Sequence, residues 1–446
     1  MLNIIASLAV AISQAQAVKP PLAAGVVSDE ASHGVESQDS NYQLAFTLED
    51  AIAFGVAHSP VLAAARARVA AGRGRLLSAR SLLPLEFDPG ISIGGEEAVA
   101  VVTQVFEISG RRSARTAVAQ HELKIDQRQY DAAERDLVRD IKSAYADLVQ
   151  TQSGVLVAID VADVIGRLRD SVEKQVEVGE IPAQELVKAN IEFSRAELET
   201  LRARSVRDRA SQVFNVTIGR AVELPTTAAE PTTFARLVAE LDELIAEAQR
   251  SRPEIAAAQS AVSAAKANVG LERSDYRPDL ELSLLQNTDV RSRDFYNPRS
   301  TGLSLSLVFP IFDTGRIRGR VREAESHVKE MEYVLIDTRF RVSLDVADAF
   351  TRVRMTETLV SRYVDAILPS AQDLLAKAEF GYARGGSTLL EFLEAQRTYR
   401  STQLEYLVAL ADNAKARADL DRAVGRGLAP ATTSFNQDTS VNGGHQ

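Results

Sequence analysis

Side chains able to do covalent chemistry are scarce and scattered in this chain. It has no cysteine, which removes disulfides, thiolate metal sites, thiol nucleophiles and lipid anchors on cysteine. Its histidines, His33, His58, His121, His327 and His445, fall at no ligand spacing, so neither a fixed metal site nor a cofactor is expected. His58, just before Pro60, reads as part of a turn. Glycines around Gly94, Gly110 and Gly385 follow no phosphate-cradling pattern, and there is no nucleophile elbow. What does cluster is positive charge, at Arg111, Arg112, Arg316, Arg318 and Arg320. These arginines sit where strands give way to helices and have two readings, a solvated helix start or an anchor at the inner face of a membrane. No catalytic residue is indicated, and no enzyme is expected.

Composition narrows the class further. With 446 residues, 45% apolar and 25% charged, the chain is too rich in apolar residues to be disordered, and its length sets a prior of about three domains. Fifty-one Lys+Arg against 61 Asp+Glu leave a net charge of −10, which argues against nucleic acid as a partner. Aromatics are 6% and tryptophan is absent, so base-stacking platforms are poorly supplied. No apolar run approaches the roughly 18–20 residues of a spanning helix. The chain is therefore expected to be soluble or held in a membrane by strands.

The ends read as processing and tail segments. Residues 1–17 combine an apolar stretch from Ile4 to Ile12 with Ala15-Gln16-Ala17, a small-x-small cleavage pattern. No Lys or Arg precedes Lys19, so a buried amphipathic piece is the alternative to a signal peptide. Residues 18–45 read as a flexible linker and 426–446 as a disordered tail.

A tandem repeat organises what lies between. Leu48-Glu49-Asp50-Ala51-Ile52 running to Ser59-Pro60-Val61-Leu62 is echoed by Leu241-Asp242-Glu243-Leu244-Ile245 running to Arg252-Pro253-Glu254-Ile255, 193 residues on. Gly110-Arg111 recurs as Gly315-Arg316 at 205, and Gly179 and Gly219 recur as Gly385 and Gly425 at 206. The growing offset is expected to be absorbed in loops. Two repeats follow, 46–220 and 221–425, each reading as helix, two strands, very long helix, glycine break and long helix. No proline interrupts residues 90–181 or 311–368, and residues 111–178 read as helix almost throughout. Helices of that length need coiled-coil support. Val138, Ile141, Tyr145 and Leu148 supply such a seam, as do Val342, Val346, Ala349 and Val353 and the heptad-spaced Phe392, Tyr399 and Tyr406. A soluble helical bundle would show the same seams.

The strands separate the two readings. Leu280, Leu282 and Leu284 alternate with Glu281 and Ser283, and Leu303, Leu305, Leu307 and Phe309 alternate with Ser304 and Ser306. This is a hairpin with one apolar and one polar face, its strands just long enough to cross a bilayer when tilted. The first-half strands, 85–93 and 98–106, are interrupted by Pro89-Gly90, and the repeat places Gln104 on the apolar side. Four strands cannot close a barrel, and unpaired edges do not persist in hydrocarbon. A membrane reading therefore requires several chains to share one barrel, and three would give twelve strands.

Taken together, the opening LEDAIAFGVAHSPVLAAAR, its echo ARLVAELDELIAEAQRSRPEIAAAQ, the segment VFPIFDTGRIRGRVREA and the late FGYARGGSTLLEFLEAQRTYRSTQLEYL resemble the TolC-like outer membrane efflux proteins. The resemblance covers residues 46–425. It implies an α+β membrane protein, a homotrimer whose four strands per chain form a twelve-stranded barrel above a long coiled-coil α-helical tunnel. It further implies a Gram-negative outer membrane location reaching into the periplasm, with a periplasmic adaptor and an inner-membrane pump as partners. Within the family, QVFEISGRRSARTAVAQ is similar to the heavy-metal or cation efflux branch.

The same resemblance assigns site residues. Aligned on Gly385, the family's acidic aperture pair falls at Glu391 and Glu394, which share a helical face. In three copies such carboxylates would favour cations. Tyr382 matches a latch tyrosine; the latch arginine falls at Ser387, with Arg384 as a substitute. Leu280, Leu282, Leu284, Leu303, Leu305, Leu307 and Phe309 would face lipid. The implied function is a passive exit duct. Its rivals are a channel for type I protein secretion and a soluble periplasmic coiled-coil adaptor or scaffold.

Overall fold

The computed structural model of the protein describes residues 45–91, 97–234, 236–289, 298–309, 311 and 313–425. The expected signal segment 1–17, the linker 18–45 up to its last residue and the tail 426–446 lie outside them. In chain order the elements are β1 (Ala45–Phe46), α1 (Leu48–His58), α2 (Pro60–Arg80), β2 (Glu86–Ile91), β3 (Glu97–Phe106), α3 (Arg111–Glu177), α4 (Ala183–Ile218) and β4 (Thr227–Ala228). The second half continues with α5 (Leu241–Ser251), α6 (Pro253–Ser274), β5 (Asp279–Asp289), β6 (Pro298–Val308), α7 (Arg316–Arg362), a π-helical turn (Tyr363–Ile367), α8 (Leu368–Ala383) and α9 (Leu389–Val424). Two compact units are distinguished, one built on residues 70–125 and 259–334 and the other on 45–69, 126–258 and 335–425.

The first unit holds the main sheet. Its order is β2-β3-β5-β6, every neighbouring pair antiparallel, so the two expected hairpins join through β3 and β5. Pro89 does not break β2; it stands in register with Ala100. A proline is tolerated there because β2 is an edge strand, whose outer side needs no ladder donor. Among the described residues, β2 and β6 each keep one unpaired edge.

Side chains sort by the pleat. Leu280 pairs with Leu307, Leu282 with Leu305 and Leu284 with Leu303, stacking the leucines on one face. Phe106, Gln104 and Val102 continue that face across β3. The opposite face carries Thr103, Glu281, Ser283, Ser304 and Ser306, mixed with Val101, Val105 and Leu285. Phe309 lies just past the end of β6 and is exposed.

The second unit is helical, and its cores repeat position by position. One cluster buries Ala51, Leu62, Ile141, Leu148, Phe214 and Ile218; another buries Leu244, Ile255, Val346, Val353, Leu420 and Val424. The offsets run 193, 193, 205, 205, 206 and 206, the same as those of the sequence landmarks. Closure is also repeated. Gly219 and Gly425 both end their helices in the left-handed region, at φ 79° and 87°. A Cβ on Gly219 would stand 2.9 Å from the His58 carbonyl oxygen, and one on Gly425 2.9 Å from Ser251 Oγ. Each helix end thus rests on the helix–proline break of its own half.

One expectation is corrected here. The step from offset 205 to 206 is not taken up by a loop. It falls between Gly315 and Gly385, and from Arg316 to Ala383 the chain is helical without interruption. The extra residue is absorbed by the π turn, in which the Leu368 N–H donates to the Tyr363 carbonyl five residues back. Pro369 is the physical cause: it has no N–H for the Asp365 carbonyl and its ring crowds that oxygen.

The apolar-run expectation is also refined. α3 contains an 18-residue window of mean hydropathy 1.4, apolar enough by composition to cross a bilayer. Ile141, Leu148, Val161, Ile165 and Val172 of this helix are buried in the helical cores at seam spacing, and 28% of that window is buried within the chain.

Candidate aperture and membrane-facing face

The acidic pair sits just after a tight turn. α8 ends at Ala383, and Gly385, at φ 73°, turns the chain with its N–H on the Tyr382 carbonyl. Gly386 N–H then donates to the Gly381 carbonyl at 2.8 Å. Ser387, where the resemblance would place an arginine, packs so tightly on Gly381 that a Cβ there would collide with its Oγ. Thr388 opens α9 as its N-cap. The Thr388 N–H donates to Glu391 Oε2 at 2.9 Å, and Thr388 Oγ1 accepts from the Glu391 N–H at 3.3 Å. Glu391 is therefore half of a capping box. Glu394, one turn further, is exposed, and among the described residues its carboxylate has no protein partner.

Tyr382 and Arg384 go to different places. The Tyr382 ring stacks on Phe392 at 5.9 Å, and burial pushes its hydroxyl above the ordinary value, with the Glu185 charge adding to the shift. The Arg384 guanidinium lies over the Phe380 ring, 3.9 Å from its centroid. That is a cation–π contact rather than an ion pair.

A second set of charges lies between α4 and α9. Arg397 reaches Glu192 at 2.6 Å, and Arg400 approaches Glu199 at 3.7 Å. Partial burial pushes the Glu192 carboxyl up, but the guanidiniums of Arg397 and Arg195 outweigh it and hold the group below the usual carboxylate range. The sequence reading missed this clasp. Its signal is the heptad series Glu185-Lys188, Glu192-Arg195 and Glu199-Arg202, each an ion pair in the structure.

The arginines at the strand–helix junctions divide. Arg111 bridges Asp275 and Asp279, and Arg320 bridges Asp275 and Glu272. Ser109 Oγ donates to Asp279 at 2.8 Å, closing the network. Arg112, Arg316 and Arg318 remain exposed. Asp313 caps α7, accepting from the N–H groups of Gly315, Ile317 and Arg318. Slight desolvation pushes its carboxyl up, and these bonds together with the Tyr276 hydroxyl outweigh that and hold it low.

The leucine face is open. Leu303 is 74% and Leu305 68% exposed, high values for aligned aliphatic side chains. Gln104, expected awkwardly among them, donates to the Leu83 and Val105 carbonyls at 3.0 and 3.1 Å. Leu83 precedes β2, so the amide partners a carbonyl that lies before the ladder begins.

No group of three or more His, Asp or Glu side chains among the described residues is arranged to hold a metal ion. His58 Nδ1 donates to the Phe54 carbonyl oxygen at 2.9 Å, and the imidazole stacks on the Phe54 ring at the end of α1.

Comparison with known proteins agrees with this architecture. Residues 244–426 match the outer membrane efflux protein family. The cobalt-zinc-cadmium resistance protein CzcC of Cupriavidus metallidurans is 24% identical over 85% of this chain and 90% of its own length. The CmeC outer membrane channel of Campylobacter jejuni superimposes with a TM-score of 0.72 at 14% identity, over 91% of this chain and 94% of that one. The open-state MtrE outer membrane channel of Neisseria gonorrhoeae gives 0.69 at 19% identity, over 85% and 89%. The fold is that of these outer membrane channels. The second half of the chain thus matches the outer membrane efflux protein family over residues 244–426, and the whole has the fold of the outer membrane channels.

Proposed function

We propose that the protein works as a homotrimer, the exit duct of a tripartite system with a periplasmic adaptor and an inner-membrane pump, and that its cargo is a heavy-metal cation. The observation that carries the assembly is the four-stranded sheet with two open edges and an exposed leucine face. Such edges need partners in hydrocarbon, and three copies supply twelve strands. In this reading Leu280, Leu282, Leu284, Leu303, Leu305 and Leu307 face lipid, with Phe309 at the rim, and the tandem repeats span 46–220 and 221–425.

Glu394 and Glu391 line the periplasmic aperture, three copies of each favouring cations over anions. Tyr382 holds the closed tip by its stacking on Phe392. Arg384 contributes through Phe380 rather than through an ion pair. The cation cargo is supported by these carboxylates and by the similarity to a protein named for cobalt, zinc and cadmium resistance.

Growth of a deletion strain on graded zinc, cobalt and cadmium tests the cargo. Loss of tolerance, restored by the wild-type gene and only partly by a Glu394→Gln variant, is expected. Unchanged tolerance to all three metals would overturn the heavy-metal assignment.

A further inference from the structure

The proposed duct leaves one charged surface of the sheet-bearing unit without a role. Of the arginines at the strand–helix junctions, Arg111 and Arg320 are neutralised by Asp275, Asp279 and Glu272, and Arg115 by Glu107. Arg112, Arg316 and Arg318 are exposed, and among the described residues no acid pairs with them.

These three cations do not stabilise the helices they begin. Helices α1, α4, α5, α6 and α9 carry an acid in the first turn, as the helix dipole favours, whereas α3 and α7 carry none there. Positive charge at these starts works against the dipole, so a solvated helix start does not account for it. Nor is the start of α7 itself an anion site, because Asp313 already takes the N–H groups of Gly315, Ile317 and Arg318.

The surroundings describe what would meet the arginines. Ile108 and Ile311, equivalent at an offset of 203, stand four and five residues before Arg112 and Arg316 and are 56% and 81% exposed. They lie just past the ends of β3 and β6 that carry Phe106 and Leu307. Both halves thus set an exposed isoleucine and then an exposed arginine where strand gives way to helix. Acids are kept off the leucine face, since Glu86, Asp88, Asp279 and Glu281 alternate onto the other side of the sheet. The cations are all arginine: no lysine falls between Lys19 and Lys124, or between Lys266 and Lys329. A lysine would be hydrated as well or better, but a guanidinium fork matches two phosphate oxygens at once.

We infer that Arg112, Arg316 and Arg318 bind the phosphates of anionic phospholipid in the leaflet from which the helices leave, with Ile108 and Ile311 seated against the adjoining acyl chains. The occupant follows from charge complementarity. An unneutralised positive rim bordering an acid-free apolar face fits a partner that is anionic at one level and hydrocarbon at the next. Free phosphate would meet the arginines and leave the isoleucines in water.

This inference rests on the reading of the leucine face as lipid-facing, so its test must separate the two. The full-length protein, extracted from membranes in mild detergent, would be titrated with phosphatidylglycerol or phosphatidylcholine and read by native mass spectrometry. Phosphatidylglycerol is expected to bind at the lower midpoint. Arg112→Gln, Arg316→Gln and Arg318→Gln should each raise that midpoint about fivefold, the worth of one arginine near an anionic lipid surface, and leave the phosphatidylcholine midpoint unchanged. Arg204→Gln and Arg339→Gln, at exposed arginines of the helical unit, should change neither. Equal midpoints for the two lipids in the wild type, or an equal rise in the Arg204 and Arg339 variants, would overturn the inference. Displacement of the lipid by inorganic phosphate over the same concentration range would overturn it too, making the rim a site for the free ion.

The same spectra count chains. Particles of three chains with no preference for phosphatidylglycerol would remove the lipid site and leave the duct reading standing. Single chains recovered without detergent from the soluble fraction would remove both.

Discussion

Glu391 accepts the backbone N–H of Thr388 at 2.9 Å, closing the capping box that starts α9. This bond gives the two glutamates proposed for the aperture different duties. Glu391 holds the geometry of the turn with part of its carboxylate, whereas Glu394 presents an uncommitted charge one turn deeper.

The first prediction separates these duties. In planar bilayers, Glu394→Gln should lower cation preference more than Glu391→Gln. Glutamine at 391 still accepts from Thr388, so that variant keeps its thermal stability, while Thr388→Ala loses the cap and costs about 0.5–2 kcal/mol. Equal loss of selectivity from both glutamine variants would show that capping does not restrain Glu391.

The sheet gives a contrast between neighbours on one strand. Leu305 and Ser304 point to opposite faces. Leu305→Lys should cost about 2–4 kcal/mol if it meets the bilayer centre and should reduce the protein recovered in membranes. Ser304→Lys should be recovered normally. Equal recovery of the two would mean that the leucine face does not meet lipid.

Acidification should loosen the clasp between α4 and α9. The Glu192 carboxyl is held low in the folded protein, so its contribution to stability is complete above the ordinary carboxylate range. It is lost as the pH falls through the depressed folded value. Thermal melting in detergent should therefore show Glu192→Gln less stable than wild type at neutral pH, with the difference closing in acid. A difference that persists unchanged at low pH would refute the ion-pair account.

The π turn predicts that a deletion can be harmless. Removing Val364 together with Pro369→Ala should convert the turn to regular α-helix with the length of α3, leaving the phase of α8 unchanged and the yield of assembled protein near wild type. Removing Asp337, within α7, should swing the buried Val342, Val346 and Val353 out of their cluster. Native gel yield of the two deletions checks this, and equal loss would deny the turn its role.

Much of this was legible beforehand because the periodicities are long. The unbroken run after Gly110 is α3, and the alternating leucines are β5 and β6. The repeat offsets reappear in the buried clusters because equivalent residues do equivalent packing work. Other features depended on three-dimensional company. Pro89 reads as a strand breaker until β2 is known to be an edge. Gln104 reads as misplaced until the Leu83 carbonyl stands beside it. The one-residue offset within α7 to α8 is invisible as a bulge, because a π turn has no composition of its own beyond the nearby Pro369. Glu391 carries a capping role beside its expected aperture position, and Thr388 three residues earlier already spelled that cap.

The central claim is that the open edges of the sheet are completed by other copies in the outer membrane. The most direct measurement is the native mass of the full-length protein extracted from separated outer membranes in mild detergent. A particle of three chains, with the protein absent from the soluble periplasmic fraction, is the result predicted here. A stable single chain recovered in the soluble fraction without detergent would contradict it.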